Sequence, residues 1–372
     1  MVDTMAMLRP FIRTPRMART PSRLADGLPA DDEVLLDAPD DRLAPALVAA
    51  GSGEYGPAAE LLAATRRAAE WEDRDRYVTR LGAFARSRDE WLTHWHDAAP
   101  NDPDATLVSA QLAVARCWES PARVELLRKV GPSVTAATEG DPRDPVPWRV
   151  ALDHARGAHA GHSQYERLWA EAVRRSPHHY GCHVAALQYL SAACSAQWGT
   201  TPHRPGDSHW ECFDFAETAA QDAPPGSLVQ ALPVRAAFKY LTEGDGVVVT
   251  RGRLDAAADR AIALSSRFAA ADPWPAEIRN LLVFVLVRLE RWQDALTQLR
   301  MIGPYATSFP WDRICDDPLG RFLHVREAVR RAVASPVPPH LPERLLPLIP
   351  PPGRQPIGHL NDRTGHRPRC DH

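Results

Sequence analysis

The chain has 372 residues, a net charge of −3 and a hydrophobic content of 44%. This charge does not favour a general nucleic-acid binder, which needs an excess of Lys and Arg facing the phosphates. The longest apolar run covers only residues 281–287, whereas a transmembrane helix needs about 20 residues. The six cysteines show no C-x-x-C spacing, which favours free thiols in a reducing compartment. We therefore expect a cytoplasmic protein that binds neither nucleic acid nor membranes.

The two ends of the chain lack a helical pattern. Arginines recur every three or four residues from Arg9 to Arg23, as in an amphipathic targeting peptide, but Pro10, Pro15 and Pro21 interrupt that pattern. No apolar stretch of signal-peptide length follows. The other end is rich in Pro, Arg and His, a composition that does not build helices. We expect residues 1–41 and 335–372 to be disordered tails that are dispensable for folding.

The remaining segment, residues 42–334, carries a helical period interrupted at regular places. Apolar residues recur at helical spacing, for example at Tyr165, Leu168 and Ala172. Breaks centred on the prolines at 103, 142, 177, 224 and 273 are separated by 39, 35, 47 and 49 residues. In an Asp-Pro pair, the Asp can cap the next helix while the proline sets its first turn. This spacing is typical of helix–turn–helix repeats, and coincidence among 35 prolines is the alternative.

Capping signals and apolar periods predict individual helices. Ser-x-x-Glu or Ser-x-x-Gln pairs begin at Ser163, Ser208 and Ser227 and predict three helix starts. Apolar residues on nearly every face of the segment 278–289 predict a helix that is buried on most sides. The segment 319–333 predicts a terminal helix with one apolar face.

The turn at residues 289–296 resembles that of tetratricopeptide-like helical repeats. A second series comprises Pro-His-His-Tyr at 177–180, Gln-Tyr at 188–189, Trp-Gly at 198–199 and Phe-x-x-Ala at 213–216. This series resembles an uncharacterised bacterial helical-repeat family over roughly residues 142–241. That family has no activity to carry over. The resemblance implies an all-α fold, a tetratricopeptide-like array of antiparallel helix pairs that forms an α-solenoid.

Two histidines have the spacing of a possible metal site. His179 and His183 lie at i and i+4 on one predicted helical face, and Glu211 or Cys212 could supply a third zinc ligand. However, the sequence has no H-E-x-x-H motif that would supply a general base, and Gly181 weakens the helix. The simpler interpretation is a polar stripe in which the histidines cap or hydrogen-bond neighbouring helix ends. We expect no cofactor, and a metal-dependent enzyme or metal sensor is the alternative function.

The sequence favours a binding function over catalysis. It contains no P-loop, nucleophile elbow, dinucleotide-binding or kinase signature. Cys182 and Cys194 lie in Ala-rich helical sequence, where buried inert thiols are commoner than nucleophiles. Because stacked helix pairs form concave surfaces, we expect a non-catalytic scaffold that holds a protein or peptide in a concave groove. The aromatic candidates could instead pack between helices. The candidate groove residues are Tyr180, Gln188, Tyr189 and Trp198.

Overall fold

A computed structural model describes residues 27–194, 207–243 and 249–335 of the chain. Over these residues the protein is mostly helical, with sixteen α-helices, two short 3-10 helices and two strands of two residues each. The predicted all-α class is confirmed. Within the same ranges, no helix combines the length and apolar character that a membrane span requires.

The helices follow one another through short connections. The first eight are α1 (Ala44–Gly51), α2 (Gly56–Ala68), α3 (Trp71–Phe84), α4 (Glu90–Ala98), α5 (Pro103–Trp118), α6 (Arg123–Thr138), α7 (Val146–Gly157) and α8 (His162–Arg175). The others are α9 (Tyr180–Cys194), α10 (Asp207–Asp222), α11 (Leu232–Glu243), α12 (Arg251–Ser265), α13 (Ala276–Arg288), α14 (Trp292–Ile302), α15 (Ser308–Trp311) and α16 (Pro318–Ala334). The strands are β1 (Leu35–Leu36) and β2 (Tyr305–Ala306).

The predicted proline breaks all fall at helix boundaries. Pro103 is the first residue of α5, and the Asp102 carboxylate accepts hydrogen bonds from the backbone amides of Asp104 and Ala105 at 2.8 and 3.3 Å. The prolines at 142, 177, 224 and 273 lie in connections between helices. Each interval between successive breaks contains two α-helices. Proline marks these boundaries because it lacks the amide that a helix interior needs.

The predicted serine caps have different outcomes. Ser227 does cap a helix, since its Oγ accepts a hydrogen bond from the Val229 amide at 3.3 Å, but that helix is the 3-10 helix Leu228–Ala231. Ser163 is not an N-cap, because it lies inside α8. The helix begins at His162, and Gly161, in an extended conformation, is its N-cap. The side chain of Ser208 lies outside the described residues.

The apolar core consists of two large clusters with a smaller one between them. One large cluster is built from residues 43–158, and the other from residues 187–332 together with Val34. The smaller cluster joins α7, α8 and α9. Every residue from Leu281 to Val287 in α13 is buried, as the sequence predicted. The terminal helix α16 buries Phe322, Val325, Val329 and Ala332 and contacts α14 and α15, which confirms the predicted terminal helix.

Helices pack mainly against their neighbours in the sequence. Most consecutive helices touch, and second neighbours such as α5 and α7, α7 and α9, or α11 and α13 also touch. α3 is different because it contacts α7 and α9 in addition to α2 and α5. α3 therefore ties together elements that are far apart in the sequence.

The first described segment does not behave as a free leader. Residues 27–40, hereafter the strap, lie against the C-terminal helices. Val34 is buried in the cluster of α13, and β1 pairs with β2 in parallel register. Arg326 of α16 donates a hydrogen bond to the Pro29 carbonyl at 3.1 Å and forms an ion pair with Asp31. The prediction of a disordered leader is thus wrong for these residues. The remainder of both predicted tails, residues 1–26 and 336–372, lies outside the described residues.

Asp37 connects the strap to both ends of the helical domain. Its carboxylate accepts hydrogen bonds from the backbone amide of Ser308 at 2.9 Å and from Ser308 Oγ at 2.5 Å. It also pairs with Arg80 of α3 at 3.3 Å. Burial opposes ionisation of Asp37, but the hydrogen bonds from Arg80 and Ser308 outweigh it and hold the pKa below its ordinary value of 3.8. Asp37 therefore acts as an ionised anchor.

We expect Asp37→Ala to lower the free energy of unfolding by about 2 kcal/mol at pH 7, because it removes two hydrogen bonds and an ion pair. A carboxylate with a lowered folded pKa stabilises the fold above its unfolded pKa and loses this effect as the pH falls through the folded pKa. The difference between wild type and variant in urea unfolding should therefore shrink as the pH falls below 3.8. Asp32→Ala, an exposed change in the same strap, is the control. Equal losses for the two variants would contradict the anchoring role.

Candidate functional site

α3 holds the starts of α5 and α7 through one buried arginine. The Arg74 side chain is 1% exposed and donates to Asp104 Oδ1 at 2.5 Å and to Asp144 Oδ2 at 2.6 Å. Asp104 lies in the first turn of α5. Asp144 precedes α7 and accepts a hydrogen bond from the Val146 amide at 2.8 Å. One guanidinium thus joins the beginnings of two helices.

The charges in this buried group balance. Arg66 reaches the second oxygen of Asp104 at 3.3 Å, so two arginines face two aspartates. Burial opposes the charge on Arg74, but Asp144 and Asp104 raise its pKa. Burial also raises the pKa of Asp144, and Arg74 offsets part of that increase. A buried ionic group of this kind is stable only while every member keeps its partners.

The next residue of α3 forms a second buried pair. Asp75 accepts hydrogen bonds from Arg149 of α7, with a shortest separation of 2.6 Å. The same guanidinium donates to Gln111 Oε1 of α5 at 2.7 Å and to Thr79 Oγ1 of α3 at 3.2 Å. The side chain of Arg149 is 8% exposed. The three helices are therefore joined by directed hydrogen bonds as well as by apolar packing.

The start of α9 is capped by a histidine and by α3. His179 Nδ1 accepts a hydrogen bond from the Cys182 amide at 3.2 Å, and Nε2 donates to the Trp71 carbonyl at 3.3 Å. Glu72 Oε1 of α3 accepts a hydrogen bond from the Tyr180 amide at 2.7 Å. The amides of a first helical turn have no partner within the helix, and these two side chains satisfy two of them. The predicted helix-capping interpretation therefore describes His179 correctly.

Gly181 makes this arrangement sterically possible. A Cβ atom at this position would lie 2.1 Å from Asp75 Oδ2 and 3.1 Å from His179 Cε1. The missing side chain lets the Asp75 carboxylate approach the first turn of α9 while it pairs with Arg149. The sequence alone predicts only that Gly181 weakens the helix.

The two histidines of the predicted metal site form hydrogen bonds with different backbone groups. His183 Nδ1 donates to the His179 carbonyl at 3.0 Å. Its ring lies 5.1 Å from Trp169 and 6.0 Å from Phe215, and burial lowers its pKa. In the part of the chain that the structure describes, no three His, Cys, Asp or Glu side chains are grouped so that they could hold a metal ion.

Cys182 and His179 are close together but enclosed. The Cys182 Sγ atom lies 3.2 Å from His179 Nδ1, and each residue is only 1% exposed. Burial raises the pKa of the thiol. A nucleophilic cysteine needs a lowered pKa and access to its substrate, so this pair is suited to packing and not to attack on an external molecule. The side chain of Cys194 lies outside the described residues.

Two of the predicted groove residues, Tyr180 and Tyr189, have different surroundings. Tyr180 is partly exposed and packs beside the cluster that contains α13, whereas Tyr189 is 3% exposed and stacks on Tyr165 with ring centroids 3.6 Å apart. The structure thus places Tyr189 in the packing role given as the alternative. Gln188 is partly exposed, and Trp198 lies outside the described residues.

Tyr180 instead belongs to a different surface that the sequence did not reveal. Arg235 of α11 donates to Tyr180 Oη at 3.1 Å and forms an ion pair with Glu277 in the first turn of α13. Arg76 of α3 lies over the Trp274 ring at 5.1 Å. We call these five residues the Arg–aromatic face. All are partly exposed except Glu277, which is exposed. The sequence signal was the Pro-Trp-Pro break at 273–275, which places a tryptophan at a helix start.

Comparison of the chain with protein-family models, with curated proteins and with solved structures gives no match. The resemblance to helical-repeat proteins therefore stays a prediction.

Two alanine substitutions at equivalent helix positions test the role of Gly181. We expect Gly181→Ala to lower the free energy of unfolding by about 2 kcal/mol, because the new Cβ displaces Asp75 from Arg149 and from α9. Gly252 is likewise the second residue of a helix, and a Cβ there meets nothing within 4 Å. Gly252→Ala should instead stabilise the protein by about 0.5 kcal/mol. Urea unfolding measures both effects, and stabilisation by both changes would contradict the steric argument.

Proposed function

We propose that this protein is a non-catalytic scaffold that binds a protein or peptide, with its helices arranged as a tetratricopeptide-like array. Two helices in each interval between proline breaks, and contacts mainly between sequence neighbours, support this arrangement. The observation that carries the binding function is the Arg–aromatic face.

The composition of this face suits protein recognition. Trp, Tyr and Arg are the residue types most enriched among side chains that dominate binding energy. Here two arginines lie over aromatic rings, and the exposed carboxylate of Glu277 adds a charge of the opposite sign. A partner can therefore gain both apolar contacts and charge-assisted hydrogen bonds at one place.

The face is also held in position before a partner arrives. Arg235 lies over the Phe309 ring at 4.5 Å in addition to its contacts with Tyr180 and Glu277. Side chains that are already ordered lose less entropy on binding. By contrast, the cysteine and histidine that could do chemistry, Cys182 and His179, are enclosed in the interior.

We also propose that the protein is cytoplasmic, because its described cysteines form no disulfide. Among the described residues, Cys117, Cys182 and Cys212 are buried and form no disulfide, and Cys315 is an exposed free thiol. An exposed free thiol is typical of proteins in a reducing compartment.

Affinity capture from the native host, with two matched tryptophan variants, tests the binding function. Trp274 and Trp210 each lie beneath an arginine, at 5.1 and 4.9 Å, but only Trp274 belongs to the Arg–aromatic face. We expect wild type to recover a specific partner, and Trp274→Ala to weaken its binding about tenfold or more in calorimetry. Trp210→Ala should change it by less than about twofold. Capture of no specific partner, or equal losses for the two variants, would count against the proposal.

A further inference from the structure

We propose that a cavity beside the turn between α7 and α8 binds a small anion that carries a phosphate group. The cavity has a volume of about 320 Å³. Small-molecule sites range from about 300 to 1,000 Å³, and a water molecule occupies about 30 Å³. The space therefore accommodates an anion of roughly ten non-hydrogen atoms. It lies apart from the Arg–aromatic face, since none of that face's residues lines it.

The lining combines small and polar residues. Half of the lining residues are Ala or Gly, whose short side chains leave the backbone accessible. The polar ones are Arg128, His154, His159 and Gln164, which come from α6, α7, the turn and α8. Arg128, His159 and Gln164 can donate hydrogen bonds to a ligand, and no acidic side chain lines the cavity. This composition favours an anion with several acceptor oxygens.

The local charge is positive. Arg128 lines the cavity together with His159. Burial lowers the pKa of His159, and the positive charges of Arg123 and Arg128 lower it further. Within the described residues, neither arginine forms an ion pair with a carboxylate, whereas the neighbouring Lys129 pairs with Glu125 at 2.8 Å. An arginine without a carboxylate partner at the edge of a cavity is available to a ligand anion.

A phosphate group uses this set of donors better than a carboxylate does. His154 Nε2 donates to the Leu127 carbonyl at 2.7 Å, which orients the ring at the cavity wall. α8 begins next to the cavity with Gly161 as its N-cap and no side-chain cap, so its first amides add positive potential. Donors from α6, from the turn and from α8 match the three terminal oxygens and the charge of about −2 of a phosphate monoester.

Calorimetric titration with inorganic phosphate tests the site. We expect saturable binding to wild type at millimolar phosphate. Arg128→Ala should weaken it about tenfold, since it removes a charge-assisted contact. Lys129→Ala removes the same charge from the adjacent position, and its affinity for phosphate should stay within about twofold of the wild-type value. Equal losses for the two variants would show non-specific attraction and overturn the proposal, as would the absence of saturable binding.

His159→Gly separates binding from folding. His159 has a φ of 58°, a left-handed conformation that glycine adopts readily. The variant should therefore keep or raise the melting temperature while phosphate binding weakens. In NMR titrations of wild type, phosphate should raise the pKa of His159, because the bound anion offsets the two arginines. An unchanged His159 pKa, or acetate binding as tightly as phosphate, would overturn the assignment.

Discussion

The buried contact between Arg74 and two aspartates is the interaction on which the arrangement of the N-terminal helices depends. Its three charged groups are withdrawn from water, at a cost of several kcal/mol per ion that only well-placed partners offset. Here the partners are also helix-start residues, because Asp104 and Asp144 lie at the beginnings of α5 and α7. The pair between Asp75 and Arg149 adds a second connection in the same region. Glu72 of α3 also accepts a hydrogen bond from the Tyr180 amide at the start of α9. α3 therefore contacts the starts of three other helices, α5, α7 and α9.

The C-terminal half uses buried arginine in a different way. Arg279 of α13 is fully buried and donates to the carbonyls of Ser265, Phe268 and Met301, each at 3.0 Å. These carbonyls lie at the ends of α12 and α14, where the helix dipole favours a cation. Its Nε donates to Ser265 Oγ at 2.9 Å. Burial lowers the pKa of Arg279, and Asp272 offsets part of that decrease. The strap and the Arg–aromatic face then connect this half to α3.

Local chemistry explains which features the sequence could predict. Proline breaks, the buried helix α13 and the terminal helix α16 depend on neighbouring residues, and all three predictions are confirmed. The docking of Val34 could not be predicted, because its partners are hundreds of residues away. The same holds for Gly181, whose importance depends on Asp75 of α3. The sequence shows that residue 189 is aromatic, but it does not show which side of α9 faces its partner Tyr165. For that reason the packing role of Tyr189 could not be distinguished from a binding role.

Urea unfolding of Arg74→Met tests the central claim most directly. Methionine preserves much of the length of the side chain but leaves Asp104 and Asp144 buried without their partner. A loss of about 3–5 kcal/mol in the free energy of unfolding is expected for breaking a buried pair. Arg116→Met provides the comparison, because the pair between Arg116 and Asp89 has side chains 48% and 47% exposed. A solvent-exposed pair contributes far less to stability than a buried one. A loss for Arg74→Met no larger than that for Arg116→Met would contradict the account.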